Sequence, residues 1–533
     1  MTRIDERVST HVYKVKRISK EEMESIAGVC VYDQPPFCNA ACPLKLDVKA
    51  MLKAAAENDF KKAFKIYESI APFPLILSAG CGAPCEEKCR LCELGDGIAI
   101  GDIERAVALS GGAGEKRSIF RVRKKKKAAV FGSGLFALLL AGELEKKGYP
   151  VTAICGEADE EEYLRVAAGF LREDDFYTEL KRLRGKDIAF EFNAEMTREL
   201  FEEKRGGFDV LCASEKAALD IFPGAVRDEG IMLMESEGLL TGGGETVLEA
   251  ALGARKAALT ADRLAQGIDP RSARGEEGPV TSRLYTNPDL ARGLIRIKGC
   301  ESGYTREQAA EEAGRCMQCH CDECLRGCAY LRRFNKHPGL LSREIYNNTQ
   351  IIMGDHPLNR AMNACALCGQ CTVTCPHGFD MAHVCRTARE NMVDTDKIPL
   401  AAHEFALLDM LFSNGEAYLC RKQPGHSHCR YVFFPGCQAA AIAPEAVIAS
   451  YEDLCTRLKG GVALMLGCCG AIAHWAGRGE MYGEVRDKIA AELAALEDPV
   501  IIAGCPSCMK LLSEQDMAET VGIWTVLRDR GLP

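Results

Sequence analysis

The chain has 533 residues, 28 cysteines and a formal net charge of −9 at neutral pH. The acidic balance argues against a nucleic-acid-binding surface, and the length predicts three or four domains at roughly 150 residues each. Residues 1–20 lack a secretory leader pattern and the cysteines lie in tight groups, so we expect a cytoplasmic protein with metal-bound thiolates rather than disulfides. Its apolar runs are too short to cross a bilayer, which predicts no direct membrane insertion.

The density of cysteines divides the sequence into four segments. Residues 1–118 and 280–395 predict helical iron–sulfur domains, whereas residues 124–268 contain few cysteines and predict a truncated Rossmann-like domain. Residues 400–533 predict an α/β domain. The predicted fold class is therefore a multidomain protein with helical and α/β parts.

Seven cysteines in the first segment occur at the short spacings that are typical of iron–sulfur or zinc ligands. These residues are Cys30, Cys38, Cys42, Cys81, Cys85, Cys89 and Cys92. The segment resembles the amino-terminal domain shared by the glutamate synthase small subunit and dihydropyrimidine dehydrogenase, an all-helical module with two 4Fe–4S clusters. A zinc-stapled helical domain is the alternative.

This resemblance implies two sets of cluster ligands. The first cluster would be held by Cys30, Cys38 and Cys89, and the second cluster by Cys42, Cys81, Cys85 and Glu104. The family has a further cysteine three residues after the first one, where this sequence has Asp33. The fourth ligand of the first cluster is therefore Cys92, Asp33 or absent, and we expect Cys92.

A glycine turn opens the Rossmann-like segment. Residues 128–131 predict a strand, and the turn at Gly132 and Gly134 leads through Ala137 into a helix, as in a βαβ dinucleotide-binding unit. The amino terminus of that helix would face a pyrophosphate. Because Cys155 replaces the acidic residue that should follow the second strand, Glu157 is the substitute for contacting a ribose.

A second glycine motif supports a flavin in the same segment. The run that begins at Leu240 and includes Gly244 and Glu245 resembles the carboxy-terminal flavin motif of pyridine-nucleotide disulfide oxidoreductases. The second Rossmann domain, which binds NADPH in that family, is absent from residues 170–239. We therefore expect either bound FAD or a nucleotide-free spacer, and no oxidation of NADPH by this chain alone.

The third segment contains a complete ferredoxin motif. Cys365, Cys368, Cys371 and Cys375 have the spacing C-x2-C-x2-C-x3-C-P, in which the fourth thiolate commonly binds the neighbouring cluster. A companion run provides one cysteine more than a cluster needs, namely Cys316, Cys319, Cys321, Cys324 and Cys328. We expect two 4Fe–4S clusters here, with Cys328 and Cys375 exchanged between them and either Cys316 or Cys319 completing the set.

Three strand-like runs in the last segment each lead into a cysteine motif. Their cysteines are Cys437, Cys468, Cys469, Cys505 and Cys508. Helical stretches separate the runs, which predicts a parallel sheet with all five thiols at one edge. The segment resembles the CCG domain of heterodisulfide reductase subunits, which implies a noncubane 4Fe–4S cluster that cleaves a disulfide on these five catalytic residues. Structural zinc is the alternative.

The order of these segments predicts an iron–sulfur oxidoreductase of anaerobic metabolism. Electrons would cross up to four cubane clusters and any flavin, to or from the CCG domain, where a disulfide or thiol substrate would react. The alternative is a non-catalytic electron-transfer or assembly subunit of a larger complex. Expected partners are other redox subunits or ferredoxin-like electron carriers.

Overall fold

The computed structural model describes residues 19–110, 123–272, 274–299, 303–398 and 402–530. They form two compact units. The first unit consists of the described residues of Asp33–Cys321, and the second unit consists of the described residues of Met1–Tyr32 and Asp322–Pro533. Residues 1–18, for which no leader pattern was predicted, and the predicted domain boundaries at 118 and 400 lie outside the described residues.

The helical part of the first unit places its cysteines at the ends of short helices. These helices span Phe37–Ala41, Val48–Ala56, Phe60–Glu68, Pro74–Gly80, Pro84–Glu87 and Ile100–Ser110, with 3-10 turns at Arg90–Glu93 and Pro288–Leu290 and a later helix at Arg306–Gly314. The Asp47 side chain caps the second of them by accepting the Ala50 N–H. Helix Arg306–Gly314 packs against Val48–Ala56 and Ile100–Ser110, so the chain returns to the amino-terminal helices just before Cys316.

A six-stranded sheet forms the rest of the first unit. Its strands are β1 (Ala128–Phe131), β2 (Val151–Ile154), β3 (Ile188–Glu191), β4 (Val210–Ser214), β5 (Leu233–Met234) and β6 (Leu239–Gly242). The order is β3-β2-β1-β4-β6-β5, and neighbours are parallel except β5 and β6. The accompanying helices span Leu135–Lys146, Glu160–Ala168, Glu173–Gly185, Arg198–Arg205, Glu215–Ile221 and Val247–Gln266.

Helix Leu135–Lys146 lies at the centre of the first unit. It is buried from Phe136 to Glu145 and packs along helix Val247–Gln266. A Cβ atom added at Gly142 would lie 2.8 Å from the Pro72 side chain, so this glycine allows the Rossmann helix to approach the cysteine-bearing helices closely. The two parts of the first unit therefore share one core.

The second unit begins with a helical part that contains the ferredoxin motif. Its helices span Lys20–Ala27, Glu323–Gly327, Ala329–Phe334, Pro338–Gln350, Asn359–Ala364, Gln370–Thr374 and Met381–Asp394. Helix Pro338–Gln350 packs against both Lys20–Ala27 and Met381–Asp394. In the described part of the chain, no helix has the length and apolarity that a membrane crossing requires.

A five-stranded sheet completes the second unit. Its strands are β7 (Leu419–Arg421), β8 (Tyr431–Phe434), β9 (Val462–Leu466), β10 (Val500–Ala503) and β11 (Thr520–Gly522), in the order β11-β10-β8-β9-β7. Only the β7–β9 pair is antiparallel. The helices of this part span Glu404–Asn414, Cys437–Ile442, Pro444–Arg457, Ala471–Trp475, Gly479–Ala495, Pro506–Glu514 and Ile523–Arg530. The two sheets and the helical parts agree with the predicted mixture of helical and α/β segments.

Candidate metal centres

The described cysteines form no disulfide bonds. Within the described ranges, no three or more His, Cys, Asp or Glu side chains are close enough together to hold a single metal ion. Iron–sulfur cubanes are held by four ligands around a whole cluster. The relevant question is therefore which thiols the fold gathers around a common space.

One group contains the residues that were expected to hold the second cluster. The Glu104 carboxylate lies close enough to Cys42, Cys81 and Cys85 to repel a thiolate at each of them. Burial raises the pKa of Glu104 to about 8, and burial followed by the charge of Glu104 raises the pKa of Cys81 to about 12. Four neighbouring acidic groups, three of them buried, would ionise together only beside positive charge, so this donor set fits an iron–sulfur cluster.

The Cys42 thiol of this group has an additional contact. The backbone N–H of Leu46 donates to Cys42 Sγ at 3.4 Å. Hydrogen bonds to cluster sulfurs are among the factors that set a cluster's reduction potential. The tight turn after Cys42 therefore both positions the thiol and provides an N–H donor to it.

A second group surrounds a small, mostly apolar cavity in the first unit. Its thiols are Cys38, Cys89, Cys316 and Cys319, and its apolar lining includes Leu52, Ile98, Ile100 and Met317. Burial raises the pKa of Cys38, and the charges of the other three thiols raise it further. Four thiols around one apolar space are the donor set of a cubane cluster or of zinc.

This second group differs from the sequence-based assignment of Cys316 and Cys319 to the ferredoxin-like segment. The reason is the packing of helix Arg306–Gly314 against the amino-terminal helices, which delivers the following residues to the same cavity as Cys89. Two signals in the sequence pointed to this grouping, namely the surplus cysteine in the run 316–328 and the missing thiol at Asp33.

Cys92 and Cys30, two other candidates for the first cluster, are not among the residues that line this cavity. Cys92 is exposed, and its thiol donates to the Glu86 carbonyl oxygen at 3.4 Å. It is close to Cys89, but the cavity lining includes Cys89 and not Cys92. Cys30 belongs to the second unit, where it packs against Gly339.

The ferredoxin-like thiols share one apolar core in the second unit. Cys324 and Cys371 are buried in that core, and Cys30, Cys328, Cys365 and Cys375 pack against it, whereas Cys368 is exposed. Cys328 is close enough to raise the pKa of Cys371 after burial, which is the larger cause. This proximity supports the expected exchange of Cys328 into the cluster of the other run. Cys321 is the last residue of the first unit.

A buried arginine joins this core to the α/β part of the second unit. Arg389 is 1% exposed, and its Nε donates to the Met362 carbonyl at 2.8 Å. Its two other guanidinium nitrogens donate to the carbonyls of Cys365 and Trp475, at 2.6 Å in the second case. One planar group therefore fixes the ferredoxin loop relative to the helix that follows Cys469.

Replacing Arg389 with leucine should destabilise the second unit by about 3 kcal/mol or more, because three buried carbonyls would lose their donor. Thermal unfolding of the anaerobic protein, followed by cluster absorbance, would measure the loss. Arg386→Leu is the comparison on the same helix, since it removes only a partly exposed ion pair with Glu390 and one side-chain hydrogen bond to His474, which together should contribute about 1 to 2 kcal/mol. Equal effects of the two substitutions would contradict the bridging role of Arg389.

The five predicted CCG cysteines meet at the carboxyl ends of β8, β9 and β10. The thiols form a chain of contacts from Cys437 to Cys468, on to Cys469 and then to Cys508. A Cβ atom added at Gly436 would lie 3.1 Å from the Cys505 side chain, so the fifth cysteine belongs to the same site.

The backbone around this site is held from outside the sheet. Asn414 accepts the Cys468 N–H at 2.8 Å and donates to the Cys468 carbonyl at 3.1 Å. Gly436 has φ +89°, a conformation that favours glycine, and it directly precedes Cys437. These contacts present the thiols in a fixed arrangement, which suits an iron–sulfur cluster.

The glycine turn after β1 has the geometry of a nucleotide-binding loop. Gly132 has φ +82°, and a Cβ atom there would lie 2.5 Å from Ser214 Oγ and 2.6 Å from Ala217. Gly134, with φ +103°, has no other atom within 4 Å of such a position. Because the turn is tight on one side and open at the start of helix Leu135–Lys146, it could accommodate a pyrophosphate.

The remaining candidate flavin contacts are arranged around the same sheet. Glu157 lies beside the Cys155 thiol, and one of its carboxylate oxygens is buried with no hydrogen-bond partner among the described residues. Ala137 is buried in the Rossmann helix. Gly244 packs so closely on helix Val247–Gln266 that a Cβ atom would lie 2.6 Å from the Ala250 nitrogen, and Glu245 is exposed. The open turn and the unpartnered Glu157 oxygen fit a dinucleotide such as FAD.

Three segments match models of known protein families. Residues 7–112 match the dihydropyrimidine dehydrogenase domain II 4Fe–4S cluster, residues 315–380 match the 4Fe–4S dicluster domain, and residues 431–513 match the cysteine-rich CCG domain. These matches confirm the predicted 4Fe–4S domains and the predicted CCG domain.

Curated relatives are similar over parts of the chain. The NADPH-Fe(3+) oxidoreductase subunit beta of Geobacter sulfurreducens is 28% identical over 230 residues, which are 40% of this chain and 33% of that protein. The NADP(+)-dependent formate dehydrogenase subunit beta of Moorella thermoacetica is 28% identical over 159 residues, covering 25% of this chain and 21% of the relative.

The small chain of NADPH glutamate synthase from Azospirillum brasilense is 29% identical over 146 residues, covering 25% of this chain and 29% of the relative. The chain thus spans about a third or less of the curated relatives it matches. The chain combines a dihydropyrimidine dehydrogenase-type 4Fe–4S domain, a 4Fe–4S dicluster domain and a CCG domain.

Proposed function

We propose that this chain moves electrons through 4Fe–4S clusters to or from the CCG domain, where a disulfide is reduced or thiols are oxidised. The observation that carries this proposal is the gathering of five thiols, Cys437 to Cys508, at one edge of the parallel sheet. That site belongs to the same unit as the ferredoxin-like thiols, and Arg389 ties their two supporting segments together. The arrangement suits transfer between neighbouring centres.

In the proposed reaction, the clusters supply the electrons and the solvent supplies the protons. Cleavage of one sulfur–sulfur bond consumes two electrons and two protons and gives two thiols. A cluster delivers the electrons one at a time, so the five thiolates would hold iron while a second centre resupplies it. The reverse reaction would return two electrons to the clusters.

We further propose that the Rossmann-like part holds FAD. The turn at Gly132 and Gly134 would accept the pyrophosphate, and the buried Glu157 oxygen would accept a ribose hydroxyl. Bound FAD would exchange electrons either singly or in pairs, which is useful between two-electron and one-electron carriers. The alternative is a spacer without nucleotide.

A second candidate function is that of an electron-transfer or assembly subunit without its own substrate. The observation in its favour is that curated relatives are described as subunits and that the chain spans a third or less of their length. In this case the CCG domain would contact a partner oxidoreductase. Its thiols would then hold structural zinc or a relay cluster.

Metal analysis of the anaerobically purified protein tests the main proposal. We expect about twenty irons per chain, equivalent to about five clusters of four, together with matching sulfide and bound flavin. EPR spectra of the oxidised and the dithionite-reduced protein would count the distinct centres. About sixteen irons with about one zinc would contradict a redox role for the CCG domain.

A viologen assay separates the two functions. The isolated chain should reduce a small disulfide with reduced viologen if it contains its own substrate site. Inactivity that is relieved only when a partner subunit is added would support the electron-transfer subunit instead.

A further inference from the structure

The cavity lined by Cys38, Cys89, Cys316 and Cys319 is maintained by a specific set of buried contacts. Glu312 is 0% exposed and accepts the backbone N–H groups of Ala99 at 3.1 Å and Ile297 at 2.9 Å. The guanidinium of Arg315 pairs with Glu312 and donates to the Asp96 carbonyl at 2.6 Å. The end of helix Arg306–Gly314 is therefore bound to the backbone at Asp96 and Ala99, which follow Cys92 in the chain, and to the backbone at Ile297.

The two later cysteines are also held individually. Lys49 Nζ donates to the Cys319 carbonyl at 2.9 Å, and Gln318 Nε2 donates to Cys316 Sγ at 3.4 Å and to the Lys49 carbonyl at 3.3 Å. Gln318 has φ +50°, an uncommon conformation for a residue other than glycine. This turn directs both thiols into the cavity that contains Cys38 and Cys89.

We propose that Cys38, Cys89, Cys316 and Cys319 together hold the first 4Fe–4S cluster. In the amino-terminal family, the other two ligands of this cluster are cysteines at the positions of Cys30 and Asp33. In this chain, Cys316 and Cys319 would replace those two ligands. The proposal concerns the ligands of one cluster and does not depend on the reaction at the CCG domain.

The position of Cys30 is consistent with a different role for this thiol. Its side chain packs against helix Pro338–Gln350, where a Cβ atom added at Gly339 would lie 2.9 Å from Cys30 Cβ. Nearby, the rings of Tyr32 and His337 stack with their centroids 4.4 Å apart. Cys30 contacts the same apolar core that contains Cys324.

The number of thiols agrees with this reassignment. If Cys316 and Cys319 belong to the first cluster, the two ferredoxin-like runs keep seven cysteines, which are Cys321, Cys324, Cys328, Cys365, Cys368, Cys371 and Cys375. Two cubanes need eight thiolates. Cys30, which packs against the apolar core that contains Cys324, supplies a further thiol within the second unit.

Single and double cysteine substitutions in the full chain test which thiols share a cluster, and iron content and EPR spectra are the measurements. Cys38→Ser should remove about four irons and one EPR signal. Adding Cys316→Ser should remove no further iron, because both thiols would serve the same cluster. Adding Cys30→Ser to Cys38→Ser should instead remove about eight irons and two signals.

The opposite pattern would overturn the proposal. If Cys30 and Cys38 share a cluster, their double variant should lose only about four irons, whereas the Cys38 and Cys316 double variant should lose about eight. Cys92→Ser is the control and should keep all clusters. One zinc per chain that disappears with Cys316→Ser would show a zinc site and would also overturn the assignment.

A second measurement covers variants that fail to fold. Stepwise iron chelation of the wild-type protein, with alkylation of the released thiols and mass spectrometry, identifies thiols that become reactive together. We expect Cys316 and Cys319 to be alkylated in step with Cys38 and Cys89, and Cys30 in step with Cys324. Alkylation of Cys30 in step with Cys38 would contradict the proposal.

Discussion

Cys468→Ser should remove the CCG-domain cluster and abolish disulfide reduction by this chain. Cys468 is buried, contacts both Cys437 and Cys469, and has its backbone fixed by Asn414, so a serine hydroxyl would sit at the centre of the site. We expect a loss of about four irons and of one EPR signal. Turnover with viologen should fall well beyond the ~10–100-fold cost of losing a supporting contact at a metal site.

Cys455→Ser is the matched control for this experiment. Cys455 is a partly buried thiol of the same α/β part, but it contacts Tyr451 rather than the five-cysteine site. Its replacement should leave iron content, EPR spectra and turnover unchanged. If Cys468→Ser keeps its iron and loses one zinc instead, the CCG site is structural and the proposed disulfide chemistry is wrong.

The cysteine motifs predicted the 4Fe–4S and CCG domains because the spacing of cysteines is a local property of the sequence. A thiol two or three residues from the next one can reach the same cluster in any fold, so the run from Cys365 to Cys375 was recognisable without tertiary structure. The parallel sheet was predictable for a similar reason. Apolar strands separated by helices place their carboxyl ends at one edge, where Cys437 and Cys468 lie close together.

The grouping of Cys316 and Cys319 could not be read from spacing alone. It depends on which helix face of Arg306–Gly314 is buried, and that helix packs against helices far earlier in the chain. The buried residue that anchors this helix, Glu312, is polar, and apolar periodicity gives no indication of such an anchor. The sequence shows one cysteine too many in the run 316–328 and one too few at Asp33. Only the tertiary packing shows that the extra cysteine can replace the missing one.

Gly134→Asp should abolish flavin binding at a local cost in backbone strain. Space is available for the side chain, since no other atom lies within 4 Å of a Cβ at this position. The added carboxylate would stand at the amino terminus of helix Leu135–Lys146, where a pyrophosphate would need the same positive end of the helix. Flavin absorbance released from the denatured protein should fall from about one per chain to near zero, with iron content unchanged.

Gly134→Asn separates charge from backbone strain in this test. Asparagine and aspartate have nearly the same size, and the backbone conformation of Gly134, φ +103° and ψ 175°, is essentially restricted to glycine, so backbone strain penalises both about equally. Electrostatic repulsion of a pyrophosphate predicts that the asparagine variant keeps substantially more flavin than the aspartate variant. Equal loss in both would mean that strain alone disrupts the turn. If the wild-type protein contains no flavin, the Rossmann-like part is a nucleotide-free spacer that connects the cluster domains.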